Sequence, residues 1–363
     1  MSRALTSGFD TALAEDWFMS GMPILNAIRN RPTFKLVLGK PKETVKAGMP
    51  NVEFANLRDI DMATKTTNVV TRFGASFGNN VARGSGMIAA ASPTNPNLMD
   101  TLQFVNSFYT MRGILTLDQM TEGKGKAWIP GMSYEQMFVN EMVNDYVNQT
   151  AIAMFATTAV AGAVQAGDGQ FGSLRHYVSD GLTTGTRTGG SGSDESPYVS
   201  YAGYSRLTDD KFRAVYLEAN SAAFTEDLGD TIAAQMIFNG AENVVCPMSI
   251  ARFNAFKQRI RTTYPAQVTN QVSKDLEYAL GGTETLTVGQ VTYYLEPTLG
   301  ASTWLLFLDT GSIAAGSTFK ETKFEKDRMT DRVAAWDVFG YLKHQLYVVA
   351  PNRCGIIEEL TSL

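Results

Sequence analysis

The sequence predicts an α+β fold in which long projections leave a mixed α/β body. Three observations predict it: one long amphipathic helix pattern, a β-rich and Gly-punctuated stretch before it, and alternating strand and helix patterns after it. Residues 1–57 come first and read as an extended N-terminal arm. Short helices are expected at Thr11–Met19 and Met22–Asn30, after which Pro32, Pro41 and Pro50 interrupt any sustained periodicity. Such a segment has too little continuous apolar surface to fold alone and needs something to lie on. It is also basic, since residues 1–46 hold seven Lys and Arg against four Asp and Glu. Two readings stand: a solvated arm, or an arm resting on acidic surfaces of neighbouring chains or on polyanion.

Residues 58–126 read as a long two-stranded excursion. Asn68–Phe73 is a β-branched run, Gly74, Gly78, Gly84 and Gly86 punctuate the residues after it, and Leu102–Leu117 mixes aromatic and β-forming residues. A lone hairpin is marginally stable in water, so an excursion of this length is expected to pack on another subunit.

Residues 127–206 hold the long helix and a surface loop. Ser133 with Gln136 three residues on forms a capping box, and no Pro or Gly occurs after it until Gly162. Phe138, Met142, Tyr146, Thr150 and Met154 make one i,i+4 row; Val139, Val143, Val147, Ala151 and Phe155 make the adjacent one. A helix over Ser133–Gly162 would be about 43 Å long, against a radius of gyration of about 21 Å for a compact chain of this size. That suits a flat subunit built on a strut; a long core helix in an ordinary domain is the plainer alternative. Ala163–Arg206 is rich in Gly, Ser and Thr and reads as a mobile surface loop.

Residues 207–310 read as α/β. Thr208 is expected to cap a helix carrying Phe212, Val215 and Tyr216, and Thr225 another carrying Leu228, Ile232 and Met236, ended by Asn239-Gly240. Val244–Cys246 reads as a strand broken by Pro247. Ser249 then opens a helix with Ile250, Phe253, Phe256 and Ile260 on one face, and Val291–Leu295 and Trp304–Leu308 come next as buried strands. Residues 311–340 read as a charged β ribbon, whose dense alternation of signs over Thr318–Arg332 suits either a solvated tip or reciprocal ion pairs with symmetry mates. Residues 341–363 carry a last strand pattern, Tyr341–Ala350, and then Pro351.

Composition excludes several classes. Net charge is −5, so the surface as a whole is no nucleic-acid glove. The N-terminus has no apolar signal region, and the one membrane-like stretch, Ala151–Ala166, is Ala- and Thr-rich and shorter than a span needs. Cys246 and Cys354 have no CxxC neighbour and read as two buried reduced thiols rather than a disulfide or zinc site.

Catalytic vocabulary is sparse. His176, with only Asp180 nearby, and His344, inside the last strand, read as structural or solvated. Gly167–Gly172 satisfies GxGxxG, but a helix pattern precedes it and a loop comes after it, the wrong setting for a dinucleotide. The acid pairs Asp59/Asp61, Asp209/Asp210 and Glu226/Asp227 show no sign of convergence on a pocket, and the last two fall in expected helix first turns. No catalytic, cofactor-binding or metal-ligating residue is assigned.

The order of parts resembles the HK97-fold major capsid proteins of tailed bacteriophages. Three stretches carry the resemblance: Ser133–Gly162, similar to that family's spine helix; Gly240–Ile260, similar to a helix–strand–Pro–helix unit of its A-domain; and Ala334–Leu360, similar to its closing ribbon and strand. The resemblance implies an HK97-like capsid fold: N-arm 1–57, E-loop 58–126, P-domain spine helix and surface loop 127–206, A-domain 207–310, P-domain ribbon with P-loop 311–340, and terminal strand 341–363. It implies a structural protein without enzymatic activity or cofactor, made in the bacterial host cytoplasm and placed in the virion capsid. Pentamers and hexamers of the chain would enclose the genome, with portal, scaffolding and decoration proteins and non-specific DNA contact as further partners, and no membrane.

Two departures matter. The strut begins too early for a fused scaffolding region, so the resemblance implies a separate scaffolding protein or none. Some members join an E-loop Lys to an Asn near the P-loop; Lys65 matches such a donor, but no Asn lies between Gly311 and Pro351, so no cross-link is expected. An encapsulin-like compartment shell shares the expected fold, and a soluble enzyme using Gly167–Gly192 as a lid is the rival of a different class.

Overall fold

A computed structural model describes residues 11–46, 49–63, 65–72, 99–116, 134–155, 172–181, 200–206, 210–263, 280, 283–318, 322–328 and 335–361. Its N-terminal part is helical: α1 (Thr11–Met19), α2 (Met22–Ala27), a 3-10 turn (Ile28–Asn30) and α3 (Pro32–Leu38). The strands β1 (Pro41–Lys46), β2 (Met49–Phe54), β3 (Leu57–Asp59), β4 (Thr66–Arg72), β5 (Met99–Val105) and β6 (Ser107–Thr116) come next. Helices α4 (Tyr134–Ala153) and α5 (Leu174–Tyr177) lead to the short pair β7 (Ser200–Tyr201) and β8 (Tyr204–Ser205). Then come β9 (Val215–Glu218), α6 (Glu226–Phe238), β10 (Val244–Met248), α7 (Ile250–Thr263), β11 (Thr285–Val288), β12 (Val291–Leu295) and β13 (Leu305–Asp309). The described chain closes with β14 (Ile313–Ser317), β15 (Lys323–Arg328), β16 (Ala335–Val348) and β17 (Gly355–Glu358).

Two sheets organise these elements. The six-stranded sheet runs β11-β12-β10-β13-β17-β9 and is mixed, with β10–β12 and β17–β9 parallel and its other pairs antiparallel. Alternation sends Cys246, Tyr293, Phe307 and Ile357 to one face, where Ile232 and Met236 of α6 and Phe253 and Phe256 of α7 cover them. Val245, Tyr294, Leu306, Leu308 and Ile356 point the other way into the larger core. The second sheet is built on the 14-residue β16. One side of β16 pairs with β15 and β14, and β14 with β3; the other side pairs with β6 over ten positions.

Helix α4 lies under this second sheet. Every residue of the two expected i,i+4 rows is buried apart from Phe138, which is half-buried. Gly113 of β6 permits the approach: a Cβ there would come within 2.5 Å of the Phe138 ring. The helix is shorter than expected, with 20 residues and a length of about 30 Å. Just past its end an incoming segment takes one carbonyl: Leu174 N donates to Met154 O at 2.8 Å and Ser173 Oγ to the same oxygen at 3.2 Å. Residues 156–162 lie outside the described residues.

Several expectations need correction. The N-terminal segment does need a surface, but helices α1–α3 find it on this chain: Phe18, Ile24, Ile28, Phe34 and Val37 are buried in the common core. Trp17 Nε1 donates to Asn140 at 3.3 Å and an Arg31 amine to Asn148 at 2.7 Å, tying them to α4. Pro32 starts α3 instead of breaking a helix, because its missing N–H costs nothing at N1. Val215 and Tyr216 belong to a strand, with only a 3-10 turn (Asp210–Phe212) before it; Thr208 lies outside the described residues. Pro247 sits inside β10, at a position where β13 has already stopped pairing. Ile250 is exposed although Phe253, Phe256 and Ile260 are buried. Within the expected surface loop 163–206 the two described stretches are core, with Leu174, Tyr177, Tyr201 and Arg206 buried; residues 163–171 and 182–199 lie outside the described residues.

Candidate assembly surface

Strand β6 shows the alternation of a half-buried strand. Ser107, Met111 and Leu115 point inward and are buried; Phe108, Thr110, Arg112 and Ile114 point outward and are exposed. Phe108 stacks on Tyr341 of β16 with ring centroids 5.6 Å apart, and Phe339 meets Tyr341 edge-on at 5.3 Å. Arg112 Nε donates to both carboxylate oxygens of Asp337 at 2.9 Å, and its terminal amine donates to Oδ2. That bonded guanidinium holds the Asp337 carboxyl below its usual range, and the carboxylate raises Arg112 in turn. The outer face of the β6–β16 ribbon therefore carries Phe108, Ile114, Phe339 and Tyr341 beside Thr110, Lys343 and the internally neutralised Arg112–Asp337 pair. Phe108 is 47% and Ile114 51% exposed, whereas Ser107, Met111 and Leu115 on the opposite face are buried within the chain.

Other apolar side chains reach solvent singly: Val70 on β4, Ile152 on α4 and Ile250 on α7. Phe238, at the end of α6, is 91% exposed and borders a 680 Å³ groove lined also by Lys211, Arg213, Gln235 and Asn352. This groove has no carboxylate, histidine or thiol on its walls.

The sequence-weighed chemical candidates are held apart. His344 is fully buried on β16, its Nδ1 against the Tyr146 hydroxyl of α4, and burial pushes its pKa down to about 3. His176 on α5 is buried too, and burial, then Arg175 and Arg206, push it down to about 4. Asp59 ends β3, while Asp61 accepts the Ala63 N–H at 2.7 Å in a local turn. Glu226 and Asp227 open α6 as expected, with Glu226 bonded by Arg259 Nε at 2.9 Å and Thr225 capping Leu228 N. Asp210 lies in the 3-10 turn and Asp209 outside the described residues. Of the GxGxxG stretch only Gly172 is described, and its N–H donates to a Gln345 side chain at 3.3 Å. Cys246 and Cys354 are free buried thiols, raised by burial, Cys354 to about 12. Among the described residues no three His, Cys, Asp or Glu gather as a metal site, and no helix is long and apolar enough to cross a membrane.

Sequence reasoning missed two arginines. Arg206 is fully buried and donates from Nε to Phe212 O (2.9 Å) and from its amines to His176 O (3.1 Å) and Tyr177 O (2.6 Å), with its charge 4.6 Å from the Tyr201 ring centroid. It is pushed down to about 10 by burial and acts as a clamp between α5 and the start of β9. Arg112 was missed because its partner stands 225 residues away; its only local signal is a cation inside an otherwise uncharged strand.

With this architecture known, solved structures give the likeness. The capsid asymmetric unit of cyanophage A-1(L) overlays with a TM-score of 0.56 at 11% identity, covering 91% of this chain and 93% of that one. The capsid of a native GTA particle overlays at 0.50 and 10% identity, covering 84% and 87%, and that of an empty GTA particle gives the same values. No protein-family model and no curated protein matches the sequence. At such identities the likeness is one of fold, and the fold is the HK97-like capsid fold.

Proposed function

We propose that this chain is the major capsid protein of a tailed bacteriophage, a structural protein rather than an enzyme. Pentamers and hexamers of it would close an icosahedral head around the genome, with the chain residing in the virion after assembly in the host cytoplasm. The observation that carries the reading is the near-complete overlap with the cyanophage A-1(L) capsid subunit, 91% of one chain on 93% of the other. The physical logic agrees: obligate assemblies of this kind bury more than about 2,000 Å² per interface, and closed symmetry repeats each contact. The domain reading keeps the same order, with residues 207–310 as the ring-forming body and residues 58–126 reaching toward a neighbour. Contact with DNA would be non-specific, and weak phosphate binding would leave the genome free to enter and leave. Portal, scaffolding and decoration proteins are the further partners of the reading.

Electron microscopy of the purified full chain tests it. Closed particles of uniform size are expected, and their absorbance ratio, when they are taken from an infected lysate, should report nucleic acid inside. Particles filled with protein cargo would instead support an encapsulin-like compartment. Denaturing electrophoresis should give one monomer band, since Lys65 has no Asn acceptor on the closing ribbon; a ladder would contradict this part of the proposal.

A further inference from the structure

The outward edge of β6 has a direction that can be read from its neighbours. Lys343 turns both backbone groups toward β14: Thr318 N donates to Lys343 O at 3.0 Å, and Lys343 N donates to Thr318 Oγ1 at 2.8 Å. Leu342, Gly340 and Val338 therefore turn theirs toward β6, where their partners are Tyr109, Met111 and Gly113. The N–H and C=O groups of Phe108, Thr110, Arg112 and Ile114 consequently face away from β16. Among the described residues β6 pairs with no other strand, and these four backbones find no partner there. The edge carries neither Pro nor Lys, the usual guards of an open strand.

Along its outward face, this edge is a palindrome about Met111: apolar Phe108, polar Thr110, polar Arg112, apolar Ile114. We infer that β6 is a two-fold seam, pairing antiparallel with β6 of a second copy so that Phe108 faces Ile114 and Thr110 faces Arg112 across it. Four residue pairs would exchange about eight backbone hydrogen bonds, and the two ribbons would join into one continuous sheet. Like charges do not oppose the symmetry, because each Arg112 is already held by Asp337 of its own chain. The same neutralisation argues against nucleic acid as the occupant, which would need free cations along the strip. This seam rests on the shell reading for what it links, naming one of its copy-to-copy contacts.

Disulfide trapping of the full chain tests the seam. In the Phe108→Cys/Ile114→Cys double variant each new thiol faces its complement at a Cα separation of about 5.5 Å, inside disulfide range. In either single variant the symmetry-related thiols stand about 20 Å apart, six residues along the strand. The native thiols are buried and do not compete. Mild oxidation should give a reductant-sensitive dimer band at least ten-fold stronger in the double variant than in either single one. Equal bands in single and double variants, or no dimer at all, would overturn the seam. If the double variant fails to fold, Thr110→Pro removes one outward N–H at an edge that tolerates proline. It should keep the parent's circular dichroism and lose association between copies; association equal to the parent's would overturn the seam. The shell reading fails separately, through absence of closed particles from the unaltered chain.

Discussion

The six-stranded sheet and the β6–β16 ribbon use similar residues to opposite ends. In the first, both faces are covered within the chain, one by α6 and α7 and the other by the common core, so Phe307, Tyr293 and Leu306 are fully buried. In the second, α4 covers one face while the other holds Phe108, Phe339 and Tyr341 toward solvent. An aromatic buried in the monomer contributes folding stability; one left open at a long strand edge contributes only when another chain arrives. The difference separates a sheet whose aromatics are covered within the chain from a ribbon whose outer aromatics stay open to solvent.

The comparison breaks most readily at matched phenylalanines. Phe307→Ala in the covered sheet should cost about 3–5 kcal/mol in urea unfolding of the subunit. Phe108→Ala on the open ribbon should stay within about 0.5 kcal/mol while lowering the yield of assembled particles. Equal losses of subunit stability would erase the distinction. Next in size is Gly113→Val, which drives a side chain into Phe138 and should cost about 1–3 kcal/mol, read by the same melts.

A smaller effect is set by acid. His344 and His176 have folded pKa values of about 3 and 4, below the ordinary 6.5. The unfolded chain thus binds protons first, so stability is complete above pH 6.5 and falls as pH drops toward the folded values. Each histidine should contribute a slope of about 1.4 kcal/mol per pH unit in that window. His344→Phe should remove about half of the slope between pH 6.5 and 5, although it also loses the Tyr146 contact. An unchanged slope would mean that the ring is solvated. The smallest effect is expected from Arg112→Ala: the pair with Asp337 is exposed, so subunit unfolding and its salt dependence should not move measurably.

How much of the molecule is visible in the sequence depends on the distance over which each signal acts. The face of α4 is legible because its two i,i+4 rows satisfy a local period, and Thr225 because capping is a three-residue device. The resting place of the N-terminal helices is not, because Phe18, Ile24 and Phe34 are spread over three short elements whose partners lie far along the chain. The strand Val215–Glu218 mimics a helix because spacings of three and four occur by chance in a short strand. The open edge of β6 is not visible at all: its alternation is local, but whether a strand ends a sheet is decided by β16, more than 200 residues on.

Light scattering coupled to size-exclusion chromatography of the full chain tests the central claim most directly. The account predicts that the protein runs as large closed assemblies, or as rings that convert to them. A stable, well-folded monomer at high concentration, with the ribbon face still open and no tendency to associate, would contradict it.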